Sequence, residues 1–240
     1  MKPLSQIFAA TICLGAAFAA PVGAQTAEQI RNDCASPDAQ TRIRACSELI
    51  RGSNVTDVNM PVAYNNRGLA YSQAGDSDSA IQDFNQAISL FPSYAIAYSN
   101  RGLVYEAQGQ FDKALADFSQ ALKLNPNFAG AYNNRCYVLA ELGRPQEAVA
   151  DCQKALALTP DDPKTLDSLG FADIRLGDYS QAISSYNAAL KTSPNMPESL
   201  YGRGIAKLKS GDQGGDADVK AAAALDPSVA GRMAKLGVVR

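Results

Sequence analysis

Asn66, Asn100 and Asn134 recur every 34 residues, and an arginine follows each one: Arg67, Arg101 and Arg135. An amide carries two N–H donors and a carbonyl acceptor, so a row of them can hydrogen-bond an extended backbone whatever its side chains. The same amides could instead solvate a surface or cap neighbouring backbone. The arginine column continues at Arg203, with Leu169 in the fourth place. Further along each interval stand Asp83, Asp117, Asp151 and Asp218, and Ser185 takes the aspartate's place where leucine replaces arginine. This internal covariation predicts ion pairs Arg67–Asp83, Arg101–Asp117, Arg135–Asp151 and Arg203–Asp218. Pairing each arginine with the preceding acid would match Arg203 with Ser185, which fits worse. A row of arginines binding an acidic ligand is the functional alternative, and the covariation favours the structural pairing. An exposed pair of this kind is worth less than about 1 kcal/mol.

Other chemistries are poorly supplied. The chain has no histidine, which removes His-based triads and the commonest zinc ligand. No metal, cofactor or catalytic residue is expected. Acidic residues scatter at the repeat spacing, and Asp112, Asp161 and Asp178 fall where helices begin and favour the helix dipole. No glycine-rich phosphate loop follows a strand pattern. A net charge of −2 and a pI near 5.2 argue against nucleic-acid binding.

The elements that must position these columns are legible from the same interval. Gly68, Gly102, Gly170 and Gly204 lie on the stride, with Cys136 in the remaining slot. A second glycine column (75, 109, 143, 177, 211), an alanine column (80, 114, 148, 182) and a proline column (92, 126, 160, 194) keep the step. Tyr64, Gly68 and Tyr71 share one face of a helix that Gly75 ends. Asp76 and Ser77 open a second helix, on which Ala80, Phe84 and Ala87 share a face, and Pro92 stops it. Small residues at Gly68 and Ala80 let the two backbones approach, and Phe84 and Tyr64 fill the wider gaps. One such hairpin cannot bury both faces, so its neighbours must stack on it.

Tyr64, Gly68, Tyr71, Ala80, Phe84, Ala87 and Pro92, with their counterparts on the stride, resemble the tetratricopeptide repeat family. The resemblance covers residues 61–227. It departs at Cys136, Cys152 and Asp173, and in a glycine-rich last unit that is one residue short. It implies an all-α, right-handed solenoid of about five helix-turn-helix units. Residues 25–60 would form an N-terminal helical cap, with Cys46 in the Phe84 column, and residues 228–240 a C-terminal capping helix. In such proteins the first helices line a concave face. Asparagines in this column form a ladder along a bound peptide, which implies peptide binding by Asn66, Asn100 and Asn134, fading at Ser168 and Gly202.

Four cysteines remain outside the leader described below, and four allow three pairings. In the third unit alone, the glycine and aromatic columns both become cysteine, at 136 and 152, on either side of Gly143. The spacing predicts a Cys136–Cys152 bond across that hairpin, worth roughly 3 kcal/mol, and leaves Cys34 with Cys46. No C-x-x-C suggests redox chemistry.

Residues 1–24 read as a secretory signal peptide: Lys2, an apolar run from Ile7 to Ala20, and Val22-Gly23-Ala24 before the cut. The run is short for a membrane span, and the residues before Cys13 do not match a lipoprotein signal. No second hydrophobic span follows. The chain is therefore expected in a periplasm or secreted, as a protein-interaction scaffold whose partner is a protein or peptide. A structural subunit docking by its ends or convex face is the alternative.

Overall fold

The computed structural model describes residues 26–52 and 59–239. The expected signal peptide, 1–24, lies outside the described residues. Among the described residues the regular structure is thirteen α-helices with no strand. α1 (Ala27–Asp33) and α2 (Ala39–Gly52) come first. Five hairpins follow: α3 (Met60–Gln73) with α4 (Ser77–Leu90), α5 (Ala95–Ala107) with α6 (Phe111–Leu124), and α7 (Ala129–Glu141) with α8 (Pro145–Leu158). Next come α9 (Pro163–Leu176) with α10 (Tyr179–Thr192), and α11 (Pro197–Lys209) with α12 (Gly215–Leu225). α13 (Val229–Lys235) ends the array.

Local chemistry sets the hairpins. Gly75 and its counterparts adopt φ between 69° and 91°, the left-handed turn a side chain would strain. Two residues later the next helix has begun in the first four units, and four residues later, at Gly215, in the fifth. In the first unit Asp76 accepts the Ser79 N–H at 3.1 Å, and in the fourth Asp178 accepts that of Gln181 at 3.0 Å.

One contact column closes each hairpin. The ring of Phe84 lies against Gly68 and that of Phe118 against Gly102, so closely that a Cβ at either glycine would fall within 3 Å of the ring. Cys136 and Cys152 replace such a pair with a covalent bond, Gly170 meets Tyr186, and Gly204 meets Val219. Phe84, Phe118, Cys136, Cys152 and Tyr186 are at most 1% exposed. Burying each aromatic ring contributes about 2–3 kcal/mol.

Curvature follows from which helices meet. Successive first helices touch (α3 with α5, α5 with α7, α7 with α9, α9 with α11), whereas among the described residues no two second helices do. The first helices therefore line the inside of the arc. α2 packs on α3 as each second helix packs on the next first helix, and the Cys34–Cys46 bond ties the segment after α1 to it.

The C-terminus packs on the last repeat and reaches inward beyond it. α13 packs more on α11 than on α12. Val229, Met233 and Val238 are buried in one cluster with Leu139, Phe171, Tyr201 and Ile205. Arg175 Nη1, on α9, donates to the Leu236 carbonyl at 3.3 Å. These partners are mostly first-helix residues, so α13 and the chain after it lie on the inner face of the last two units.

Candidate functional site on the concave face

The inner face is built from the first helices, whose arginine column turns toward the second helices. Each arginine is a three-point fastener. Arg67 Nε and Nη2 donate to the two oxygens of Asp83, both at 2.7 Å, and Arg101 does the same to Asp117 at 2.8 and 2.7 Å. Arg135 meets Asp151 at 2.6 and 2.9 Å, and Arg203 meets Asp218 at 2.8 and 2.5 Å. The remaining Nη1 reaches back to the preceding second helix: Ser47, Asn85, Ser119 and Asn187 respectively. Asp83 and Asp117 are under 10% exposed, so these pairs differ from the exposed kind. Bidentate, half-desolvated pairs fix geometry more than they add stability. Arg67 also stacks between Tyr64 and Tyr71, and Arg101 between Tyr98 and Tyr105. In the fourth unit Ser185 instead donates to Asp173 at 3.1 Å, so the tyrosine column changed together with the other two.

The asparagine column is partly engaged within the protein. Asn66 Nδ2 donates to the Cys34 carbonyl at 3.1 Å, and Asn100 Nδ2 donates to Asn65 Oδ1 at 2.9 Å. Asn65 is buried. Asn134 is partly exposed on α7. The ladder thus begins as a unit-to-unit bridge. On the same face of α3 and α5, at helical spacing from the asparagines, stand Val62, Ile96 and Leu103, each 40–47% exposed. Exposed aliphatic side chains beside an amide row form a surface suited to a peptide: apolar contact along it and backbone hydrogen bonds where an amide retains a free group.

The second half of the inner face is different, and sequence reasoning missed it. Tyr137, Asp167, Phe171, Tyr186, Met233 and Leu236 surround a cavity of about 420 Å³, with Glu198 and Arg232 at its edge. The rings of Tyr137 and Phe171 lie 5.6 Å apart, tilted by 34°. Ser199 donates a short hydrogen bond to Asp167, and Arg232 pairs with both Glu198 and Asp226. Burial pushes the Asp167 carboxyl up to about 6, against the Ser199 hydrogen bond. Nearer the middle of the array, burial and the neighbouring Glu141 push Glu106 up to about 7. One oxygen of Glu141 is buried without a hydrogen-bond partner. The signal for this region was present in two substitutions: tyrosine in a phenylalanine column at 186, and glycine in the asparagine column at 202.

Among the described residues no three His, Cys, Asp or Glu side chains stand so that they could hold a metal ion. Cys34–Cys46 and Cys136–Cys152 are disulfide-bonded. No helix of the described residues is long and apolar enough to cross a membrane.

Models of the tetratricopeptide repeat match residues 68–109, 95–128, 127–195 and 169–230. The chain belongs to the tetratricopeptide repeat family. Among curated proteins no sequence matches significantly. Similar solved structures include a tetratricopeptide repeat protein from Parabacteroides merdae, with a TM-score of 0.68 at 17% identity over 87% of this chain and 85% of that one. PilW, a type IV pilus biogenesis factor, has a TM-score of 0.65 at 24% identity over 73% and 85% of the two chains. YrrB, a TPR protein with an unusual peptide-binding site, has a TM-score of 0.60 at 20% identity over 77% and 94%. These similarities establish the fold.

Proposed function

We propose that the protein is a protein-interaction scaffold of the cell envelope whose concave face receives a peptide or partner segment. The observation that carries this reading is the exposed stripe of Val62, Ile96 and Leu103 beside Asn66 and Asn100 on the inner face of α3 and α5. Aliphatic side chains on a concave surface, unlike single ones scattered on a convex one, gain by being covered. Asn66, Asn100 and Asn134 supply polar contacts to the ligand through the groups their internal hydrogen bonds leave free. α13 and the chain after it cover part of the far half of the face and leave a cavity beside them, so a partner enters over the first two units. The signal-like leader and two disulfides support a periplasmic or secreted setting. YrrB is described as having a peptide-binding site, which agrees with this use of the fold. No site for chemistry on a substrate is part of this reading.

The test is a photo-cross-linker placed in living cells at position 103, on the inner face, or at 86, on the outer surface of α4. Adducts from 103 that disappear when Asn66, Asn100 and Asn134 become alanine support the groove. Adducts from 86 alone would favour docking by the convex face. That second reading has its own support in Phe91, Leu158 and Leu225, exposed at the ends of second helices.

A further inference from the structure

Tyr186 is the least expected side chain in the array. It comes from a second helix, yet its ring passes between Gly170 on α9 and Gly202 on α11 and reaches the cavity on the inner face. The side chain is 1% exposed, and its hydroxyl is buried with no hydrogen-bond partner. Phenylalanine fills the same column at 84 and 118, so packing does not require the hydroxyl. A buried, unpaired hydroxyl is destabilising unless something completes it. Beside it, Asp167 accepts from Ser199, and among the described residues no Lys or Arg forms an ion pair with it. Arg232, which lines the same cavity, is already held by Glu198 and Asp226, and Lys235 also lines it.

A carboxylate, a free phenol oxygen and two further aromatic rings, Tyr137 and Phe171, form a half-enclosed box for an organic cation. Aromatic faces attract ammonium groups, more strongly as water is excluded. Met233 and Leu236 also line the cavity and suit a methylene chain. A volume of about 420 Å³ is of the size that holds a small ligand or a long side chain. We infer that this cavity binds an alkylammonium group, supplied by a lysine side chain of a segment lying in the concave groove. The inference rests on the groove reading above, and adds to it the charge of the partner and the place where that charge is read. The lysine stem would run between Phe171 and Met233, with its ammonium at Asp167 and within reach of Tyr186 Oη.

The experiment titrates the protein at pH 7.5, by NMR, with three probes: a blocked pentapeptide with a central lysine among alanines, its glutamate counterpart, and n-butylammonium chloride. The lysine peptide is expected to bind saturably, at least ten-fold tighter than the glutamate peptide and tighter than butylammonium. Asp167→Asn, which keeps an acceptor for Ser199, lowers that affinity at least ten-fold. Tyr186→Phe restores the column residue: it raises the melting temperature and still weakens lysine binding about three-fold. A purely structural hydroxyl would give the first change without the second. Failure of the lysine peptide to bind, equal binding of the glutamate peptide, or an unaltered affinity in folded Asp167→Asn overturns the inference. Butylammonium binding as tightly as the peptide overturns its assignment to a partner side chain and leaves a small-amine site. Cross-linking from position 103, two units away, fails or succeeds independently, so the groove and the lysine box are judged separately.

Discussion

The ring of Tyr186 occupies the space where a side chain at position 202 would begin: a Cβ there would lie 2.5 Å from Tyr186 Oη. This relationship explains why the last place of the asparagine column, after Ser168, is a glycine. Gly202 must yield to a longer aromatic from the neighbouring unit. Gly202→Ala is therefore expected to destabilise by about 1–3 kcal/mol through overpacking. A glycine-to-alanine change inside a helix ordinarily gains up to about 1 kcal/mol. Gly231→Ala on α13, with nothing within 4 Å of the new methyl, should show that gain. Urea midpoints of the two variants moving in the same direction would contradict this account.

Arg101 and Asp117 form a pair in which the aspartate is the more buried member. Arg101→Leu leaves that carboxylate without its partner and should cost about 3 kcal/mol. Asp117→Ser should cost less, because the guanidinium keeps Asn85 and more solvent. The double variant reproduces the fourth unit's Leu169 and Ser185, and is expected to be about 2 kcal/mol more stable than the two losses summed. Additive losses in a double-mutant cycle would mean that the pair carries no coupling.

Cys136 and Cys152 occupy the place that glycine and phenylalanine hold in the first two units. Replacing both with serine removes the bond and puts no ring in its place, and should lower stability by about 3 kcal/mol. Cys136→Gly with Cys152→Phe restores the ring-on-glycine contact and should recover part of the loss. Chemical denaturation of the three proteins without reductant checks the order, wild type above Gly/Phe above Ser/Ser.

Glu106, Asp167 and Asp173 all titrate above the ordinary carboxylate range in the folded chain, at about 7, 6 and 6, chiefly because burial disfavours their charge. Each is protonated in both states at low pH. As pH rises the unfolded chain ionises first, so stability falls from about pH 4 and levels off above about 7. Asp218 opposes this trend: burial raises it, but its hydrogen bonds to Arg203 and Lys207 outweigh burial and hold it below the ordinary value, so its effect appears only at lower pH. For Glu106 the rise from 4.5 to about 7 sets a ceiling of about 3 kcal/mol. Partial exposure reduces the expectation to about 1–2 kcal/mol. Glu106→Gln should flatten the fall in melting temperature between pH 5 and 7.5 by a corresponding amount. A Glu106→Gln profile parallel to that of the wild type would show that Glu106 is not the source.

The repeat by itself determined the hairpins and most of their stitching. A 34-residue stride repeats the same local problem, and each solution is short-range. Glycine ends a helix because only the left-handed turn closes the hairpin, and Arg101 pairs with Asp117 because their helices are joined by one turn. The covariation of Leu169 with Ser185 was legible for the same reason, although the third member, Asp173, became intelligible only when its carboxylate was found accepting from Ser185. What the tertiary structure decided lies between units and beyond the stride. The amides of Asn66 and Asn100 turn toward Cys34 and Asn65 because the neighbouring unit brings those acceptors within reach. Tyr186 crosses to the inner face because two glycines from different first helices open a gap. The C-terminal segment has no counterpart in the repeat to set its course, so its apolar residues Val229, Met233 and Val238 went where Phe171, Tyr201 and Ile205 left uncovered surface. Periodicity specifies contacts made at fixed sequence separation, and these contacts depend on the curvature that brings non-equivalent positions together.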